Sequence, residues 1–145
     1  MSFPEPKPGQ VIRYSYLWKH EYDKHQEEGV KDRPSAIIMV TKNDDEETLV
    51  TVLPITHTPP SDLELAIEIP TQTKQRLGLD DERSWVILTE ANRFVWPSPD
   101  LRMTKPGNVS SVVYGSLPAN FFETVKSRFI ENAKARKAKL IKRTE

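Results

Sequence analysis

Three polar side chains at the ends of two apolar runs could do chemistry on a phosphate. Arg33 opens the run Arg33-Pro34-Ser35-Ala36-Ile37-Ile38-Met39-Val40, and Thr56 and His57 close the run Leu49-Val50-Thr51-Val52-Leu53-Pro54-Ile55-Thr56-His57. An antiparallel pairing of the two runs brings these ends together on one rim. An arginine offers a permanently charged, planar fork to two phosphate oxygens. A threonine hydroxyl can donate to a third oxygen, and an imidazole is suited to moving a proton near neutral pH. Each residue also has a plainer use. A strand-start arginine pairs with a neighbouring carboxylate such as Asp32 or Glu28, and a strand-end threonine bonds its own backbone.

Positioning these ends falls to the runs themselves. Both are rich in β-branched and long aliphatic residues, and Lys42-Asn43-Asp44-Asp45-Glu46-Glu47 between them is too polar to bury, so the pattern predicts two buried strands joined by an exposed turn. Before them, Gln10 to Trp18 predicts a strand, preceded by a proline-rich arm over residues 1–8. Residues 19–32 are charged and lack apolar periodicity, which predicts a long loop. His20, Asp23 and His25 fall in that loop without a recognised metal-ligand spacing, so no metal and no cofactor is expected.

Further along, Leu63, Leu65, Ile67 and Ile69 alternate with polar residues and predict a half-buried strand ended by Pro70. Thr71 to Leu77 predicts a short helix closed by Gly78. Strands are expected over Ser84–Thr89 and Arg93–Trp96, and a last one over Ser110–Gly115. A C-terminal helix follows Ser116 and Pro118, with Phe122, Val125, Phe129 and Ala133 on its apolar face. Its basic end, residues 134–145, is expected to fray into solvent.

The 145 residues predict one domain with a core of its own. A hydrophobic fraction of 37% with 29% charged residues points to a compact body with polar appendages. Lysine plus arginine and aspartate plus glutamate number 21 each, but the charge is unevenly spread. Residues 126–145 carry eight basic side chains against Glu131 and Glu145, which leaves an acidic body with a basic tail. There is no cysteine, which excludes disulfides and thiol catalysis. No apolar run is long enough to span a bilayer, the first residues lack a signal-peptide pattern, and a cytoplasmic protein is expected.

Strand after strand followed by a helix predicts a mainly β, α+β fold, a small curled sheet or barrel with a packed C-terminal helix. The ordered series Pro8-Gly9-Gln10-Val11-Ile12, Arg33-Pro34-Ser35-Ala36-Ile37-Ile38-Met39-Val40, Val52-Leu53-Pro54-Ile55-Thr56, Ala66-Ile67-Glu68-Ile69-Pro70, Gly78-Leu79, Val86-Ile87-Leu88-Thr89-Glu90-Ala91-Asn92-Arg93 and Gly115-Ser116-Leu117 resembles the MazF/PemK family, the toxin ribonucleases of bacterial toxin–antitoxin pairs. The resemblance runs from about Pro8 to the C-terminal helix. It implies an SH3-like barrel, a homodimer, metal-independent cleavage of single-stranded RNA and neutralisation by an antitoxin protein.

The same resemblance implies site residues. Arg33 matches the family's catalytic arginine and Thr56 its active-site threonine. Glu28, five positions before Arg33, has the spacing of a family glutamate, although Glu27 aligns nearly as well. His57 is added from its chemistry alone. Arg93, Trp96 and Lys31 are the candidates for RNA contact, Trp96 as a surface on which an unpaired base stacks, with a core tryptophan as the alternative. Two other readings stay open: a catalytically inactive barrel that binds nucleic acid or protein, and a gyrase-directed toxin.

Overall fold

The computed structural model describes residues 3–18, 32–135 and 139–142. The elements are β1 (Gln10–Tyr14), β2 (Arg33–Lys42), β3 (Thr48–Thr56), β4 (Ala66–Glu68), α1 (Thr71–Leu77), β5 (Trp85–Ile87), β6 (Glu90–Val95), a 3-10 turn (Val109–Val112), β7 (Val113–Ser116), α2 (Ala119–Lys134) and β8 (Lys139–Lys142). Eight strands form one mainly antiparallel sheet whose main path runs β4-β5-β3-β2-β1-β7, with β6 on β3 and β8 on β6. The path is open: no pairing between β4 and β7 joins its two ends among the described residues. The mainly β, α+β expectation holds at this level. Among the described residues, no helix is long and apolar enough to cross a membrane.

The two apolar runs do pair, from Ser35↔Pro54 to Lys42↔Thr48, with a bulge at Ile38 that shifts the register by one. On its other edge β3 is shared. Leu49–Val52 pair with β6, while Ile55 and Thr56 pair with β5. Leu53 and Pro54 lie at the changeover, where a residue without an N–H leaves no donor stranded. The changeover carries the exit of β3 away from β6 and toward α1 and the loop behind it.

Because residues alternate across a sheet, β1, β2 and β3 feed two cores. Val11, Ala36, Ile38, Leu53 and Ile55 pack with Leu77 of α1 and Val125 of α2. On the opposite face Ile12, Tyr14, Ile37, Val50 and Val52 pack with Phe94, Trp96, Leu101 and Val112. The first core is roofed by helices, the second by the connection between β6 and β7. The strands are therefore buried on both faces, which accounts for their near-continuous apolar runs.

Several boundaries differ from expectation. Strand β1 ends at Tyr14; beyond it the Ser15 N–H donates to the Asp100 carbonyl, and Asn92 holds Leu17 by its amide, Nδ2 to the Leu17 carbonyl at 2.9 Å and Oδ1 from its N–H at 3.0 Å. The alternating stretch around Leu63 contributes only Ala66–Glu68 as strand, and Leu63 is exposed. The frayed basic end is also corrected. Lys139–Lys142 forms β8, parallel to β6 from Glu90↔Lys139 to Arg93↔Lys142, and Ile141 is buried. Burial of Ile141 and the ladder to β6 together hold the segment.

Helix α1 follows the sequence closely. Gly78 takes the left-handed conformation at its C-cap, with φ of 72°, and the Arg76 guanidinium donates to the Ser116 carbonyl. The helix lies close against β7. At Gly115, where φ is 151°, an added Cβ would sit 2.9 Å from Leu77 Cδ2. Leu77 is packed and cannot swing away, so Gly115→Ala is expected to cost about 1–3 kcal/mol, read as a lowered melting temperature. Combining it with Leu77→Ala should cost less than the two changes separately.

Candidate functional site

The site begins with how β2 presents Arg33. Tyr14 faces Arg33 across the β1–β2 ladder. Continuing the Ser35↔Pro54 register by two residues sets Arg33 level with Thr56, and alternation puts both on the face that carries Ile37. The Arg33 guanidinium lies over the Trp18 ring, 5.0 Å from its centroid. Trp18 is itself supported. Its ring meets Tyr16 edge-on at 5.2 Å, and the Tyr16 hydroxyl donates to Glu90 Oε1 at 3.3 Å. Leu17, the residue before Trp18, is held by Asn92. A cation stacked on an indole is held in plane by the ring.

Arg33 also borders a cleft of about 280 Å³, lined by Asp32, Arg33, Pro34, Ile55, His57, Gly78, Leu79, Asp80, Ser84 and Tyr114. The ends of β2 and β3, the C-cap of α1 and strand β7 thus converge on one space. Asp32 does not serve as an ion-pair partner for Arg33 among the described contacts; it bridges Arg102 at 3.3 Å and Arg13 at 3.6 Å. Burial raises the Tyr114 phenol above its ordinary pKa, with Asp32 and Asp80 adding to the effect against Arg13. That phenol therefore keeps its proton through neutral pH and can donate it in a hydrogen bond.

His57 stands at the other wall between two carboxylates. Its Nε2 is 2.7 Å from Asp80 Oδ2, and its Nδ1 is 3.1 Å from Glu82 Oε2. Asp80 in turn accepts at Oδ1 from the Lys74 ammonium at 2.9 Å and from the Glu82 N–H at 3.1 Å. Lys74 is buried on α1 and also donates to the Glu82 carbonyl. The hydrogen bond from Lys74 is the main cause holding the Asp80 carboxyl below the usual range, with the His57 charge adding to it. His57, Asp80 and Glu82 bring three potential ligand atoms within 4.8 Å of one another. Both ring nitrogens face carboxylate oxygens, and the Lys74 ammonium lies on Asp80.

The sequence-derived candidates separate as follows. Arg33 and His57 border one cleft, as their strand ends predict. Thr56 is buried, does not line the cleft, and its Oγ1 accepts from the Thr58 N–H at 3.1 Å, the plainer of its two uses. Trp96 is corrected to a core residue: its indole N–H donates to the Pro4 carbonyl at 3.0 Å and its ring lies 6.2 Å from Phe94, so no base can stack on it. Arg93 donates to Thr51 Oγ1 at 3.0 Å and sits on the face of β6 opposite Asn92, away from Arg33. Glu28 and Lys31 lie outside the described residues, as do His20, Asp23 and His25.

No family model matches the chain, and no curated protein matches it.

Residue type alone did not bring out Lys74, Asp80, Glu82 or Tyr114. Lys74 carried a signal of sorts, being a lysine on the apolar side of a helix followed closely by an acidic run.

The acid response of the fold follows from two carboxylates. The Lys74 hydrogen bond lowers Asp80, and the bidentate Arg83 fork, at 2.7 and 2.8 Å, lowers Glu68. A carboxyl lowered in the folded state contributes stability at pH above its unfolded value, about 4. That contribution is lost as pH falls through the lower folded value. Urea midpoints measured from pH 7 downward should therefore decline below about pH 4, and Asp80→Asn should flatten the decline.

Proposed function

We propose that the chain is a metal-independent endoribonuclease resembling the MazF/PemK toxins, acting on single-stranded RNA. The observation that carries this reading is the stacking of Arg33 on Trp18 at the rim of the cleft it shares with His57. In such a reaction the RNA 2′-hydroxyl attacks the adjacent phosphorus, and the bond to the 5′-oxygen breaks to leave a cyclic phosphate and a 5′-hydroxyl. Charge builds on the two non-bridging oxygens as this happens. A guanidinium held on the Trp18 ring stabilises that charge with little rearrangement. Tyr114 supplies a neutral donor across the same space.

The reading carries further proposals with it. The open sheet, turned at the β3 changeover and backed by α2, is an SH3-like barrel. The protein acts in the cytoplasm as a homodimer and as the toxin of a toxin–antitoxin pair, with a cognate antitoxin protein as its partner. Thr56, buried outside the cleft with its hydroxyl oxygen accepting from the Thr58 N–H, is given no contact with phosphate in this reading.

The test is incubation of the purified chain with mixed-sequence single-stranded RNA in excess chelator, followed by analysis of the fragment ends. Fragments ending in a 2′,3′-cyclic phosphate and a 5′-hydroxyl are expected. RNA that binds but stays intact over every sequence tried would overturn the enzyme reading and favour a binding module.

A further inference from the structure

We propose that His57, Asp80 and Glu82 form a binding site for a divalent transition ion of the Zn2+ class. The inference concerns ion binding and stands apart from the ribonuclease reading, whose test is run in chelator. Among the described residues this is the one place where three such groups meet, with an atom of each within 4.8 Å of the others.

The three residues come from two parts of the chain. His57 directly follows β3, and Asp80 and Glu82 lie just past the Gly78 cap of α1. Their contacts are out of balance. A neutral imidazole has one N–H, and an ionised carboxylate only accepts hydrogen bonds. Yet Nε2 is 2.7 Å from Asp80 Oδ2, and Nδ1 is 3.1 Å from Glu82 Oε2. One of these contacts sets a ring lone pair against an oxygen lone pair unless a cation stands there. Charge points the same way. Two carboxylates meet one ammonium, that of Lys74, so a net negative charge remains beside the ring. Arg83, the next residue in the chain, is engaged by Glu68 instead.

Asp80 fixes where the ion sits. Its Oδ1 accepts from the buried Lys74 ammonium and from the Glu82 N–H, which leaves Oδ2, the atom nearest Nε2, as the ligand oxygen. Supporting hydrogen bonds of this kind hold a ligand in one orientation. Two ligand atoms on a tetrahedral Zn2+ stand roughly 3.4 Å apart. Nε2 and Oδ2 therefore need to separate by less than about 1 Å to admit the ion. Glu82 completes the set. Its side chain is 72% exposed, and its carboxylate has no partner but the His57 ring among the described residues, so it is free to swing from Nδ1 to an ion on Nε2. Three protein ligands leave a fourth position for water.

The ligand types select the ion. An imidazole with two carboxylates suits Zn2+ and its neighbours in the series, whereas Mg2+ and Ca2+ take oxygen ligands. The chain thus holds a site that would distinguish the two classes.

The test uses the full chain stripped of metal and titrated calorimetrically with Zn2+ alone. One equivalent should bind, and a large excess of Mg2+ should not displace it. His57→Ala and Glu82→Gln should each weaken this binding at least about tenfold. Both side chains are at least half exposed, so the variants are expected to keep the fold. Long-range 1H–15N spectra should show Zn2+ shifting the Nε2 signal of His57 more than Nδ1. No uptake of Zn2+ would overturn the site, and so would uptake undiminished in His57→Ala, which would put the ion elsewhere. Uptake unchanged in Glu82→Gln, or a shift centred on Nδ1, would overturn the three-ligand arrangement.

Discussion

Arg33→Ala should lower the rate of RNA cleavage in chelator by at least about a hundredfold, with the fold intact by circular dichroism. The size follows from what the side chain does. It is half-buried, stacked on Trp18 and positioned by a strand whose next residues are core. Removing a fixed donor aimed at developing charge typically costs two to three powers of ten. Arg33→Lys separates charge from shape. A lysine keeps the cation but loses both the planar fork and the indole stacking, so it should recover only a small part of the rate. Full activity in Arg33→Lys would mean that charge alone is used; full activity in Arg33→Ala would remove the residue from the chemistry. The alanine change should leave the urea midpoint nearly unmoved, since a rim cation contributes little to stability.

Phe94→Ala should have the largest effect on stability, about 3–5 kcal/mol. The ring is buried, stacked on Tyr14 at 4.6 Å between centroids and next to Trp96 at 6.2 Å. Its removal leaves a void between β1, β3 and the connection that roofs the second core, and aromatic contacts are lost beyond the buried area. A domain of this size has only about 5–15 kcal/mol in total, so the variant should stand near its unfolding midpoint at modest urea. The urea midpoint should fall with the slope unchanged. A loss under about 1 kcal/mol would mean that the ring is not in a packed core. Trp96, Phe94, Tyr14, Tyr16 and Trp18 form a continuous series of ring contacts that ends under Arg33. The same variant should therefore lose activity on warming well before the wild type does.

Local chemistry was legible where the cause is local. The two aliphatic runs pair as their composition requires, and Gly78 closes α1 where a left-handed residue was needed. Thr56 bonding two residues on is equally local, since a threonine before Thr58-Pro59-Pro60 has a turn to satisfy. What escaped depends on residues far apart in the chain. The N–H of Trp96 is met by Pro4, and no pattern around Trp96 could distinguish that from an exposed ring. Asp80 and Glu82 read as a solvated acidic run until α1 delivers Lys74 and the β3 exit delivers His57. Asn92 could have been found: it alternates with Phe94 on one face of β6, and a buried amide demands partners. The bulge at Ile38 leaves no mark in composition, yet it resets the β2–β3 register between the hairpin turn and the site. Strand β8 was hidden by its lysines and by having its partner far back in the chain.

That distance between β6 and β8 has a consequence for how the protein is made. During synthesis β6 leaves the ribosome well before β8, and its outer edge must wait with free N–H and C=O groups while β7 and α2 are still emerging. An unfilled edge of this kind invites a strand from any neighbouring chain. When Lys139–Lys142 arrives, it fills that edge with a basic segment, and the nascent chain passes from an adhesive state to a guarded one. The lysines that made this segment look like a loose tail are then suited to its place, since charge on the outermost strand repels a further copy at the point where the sheet would otherwise continue growing.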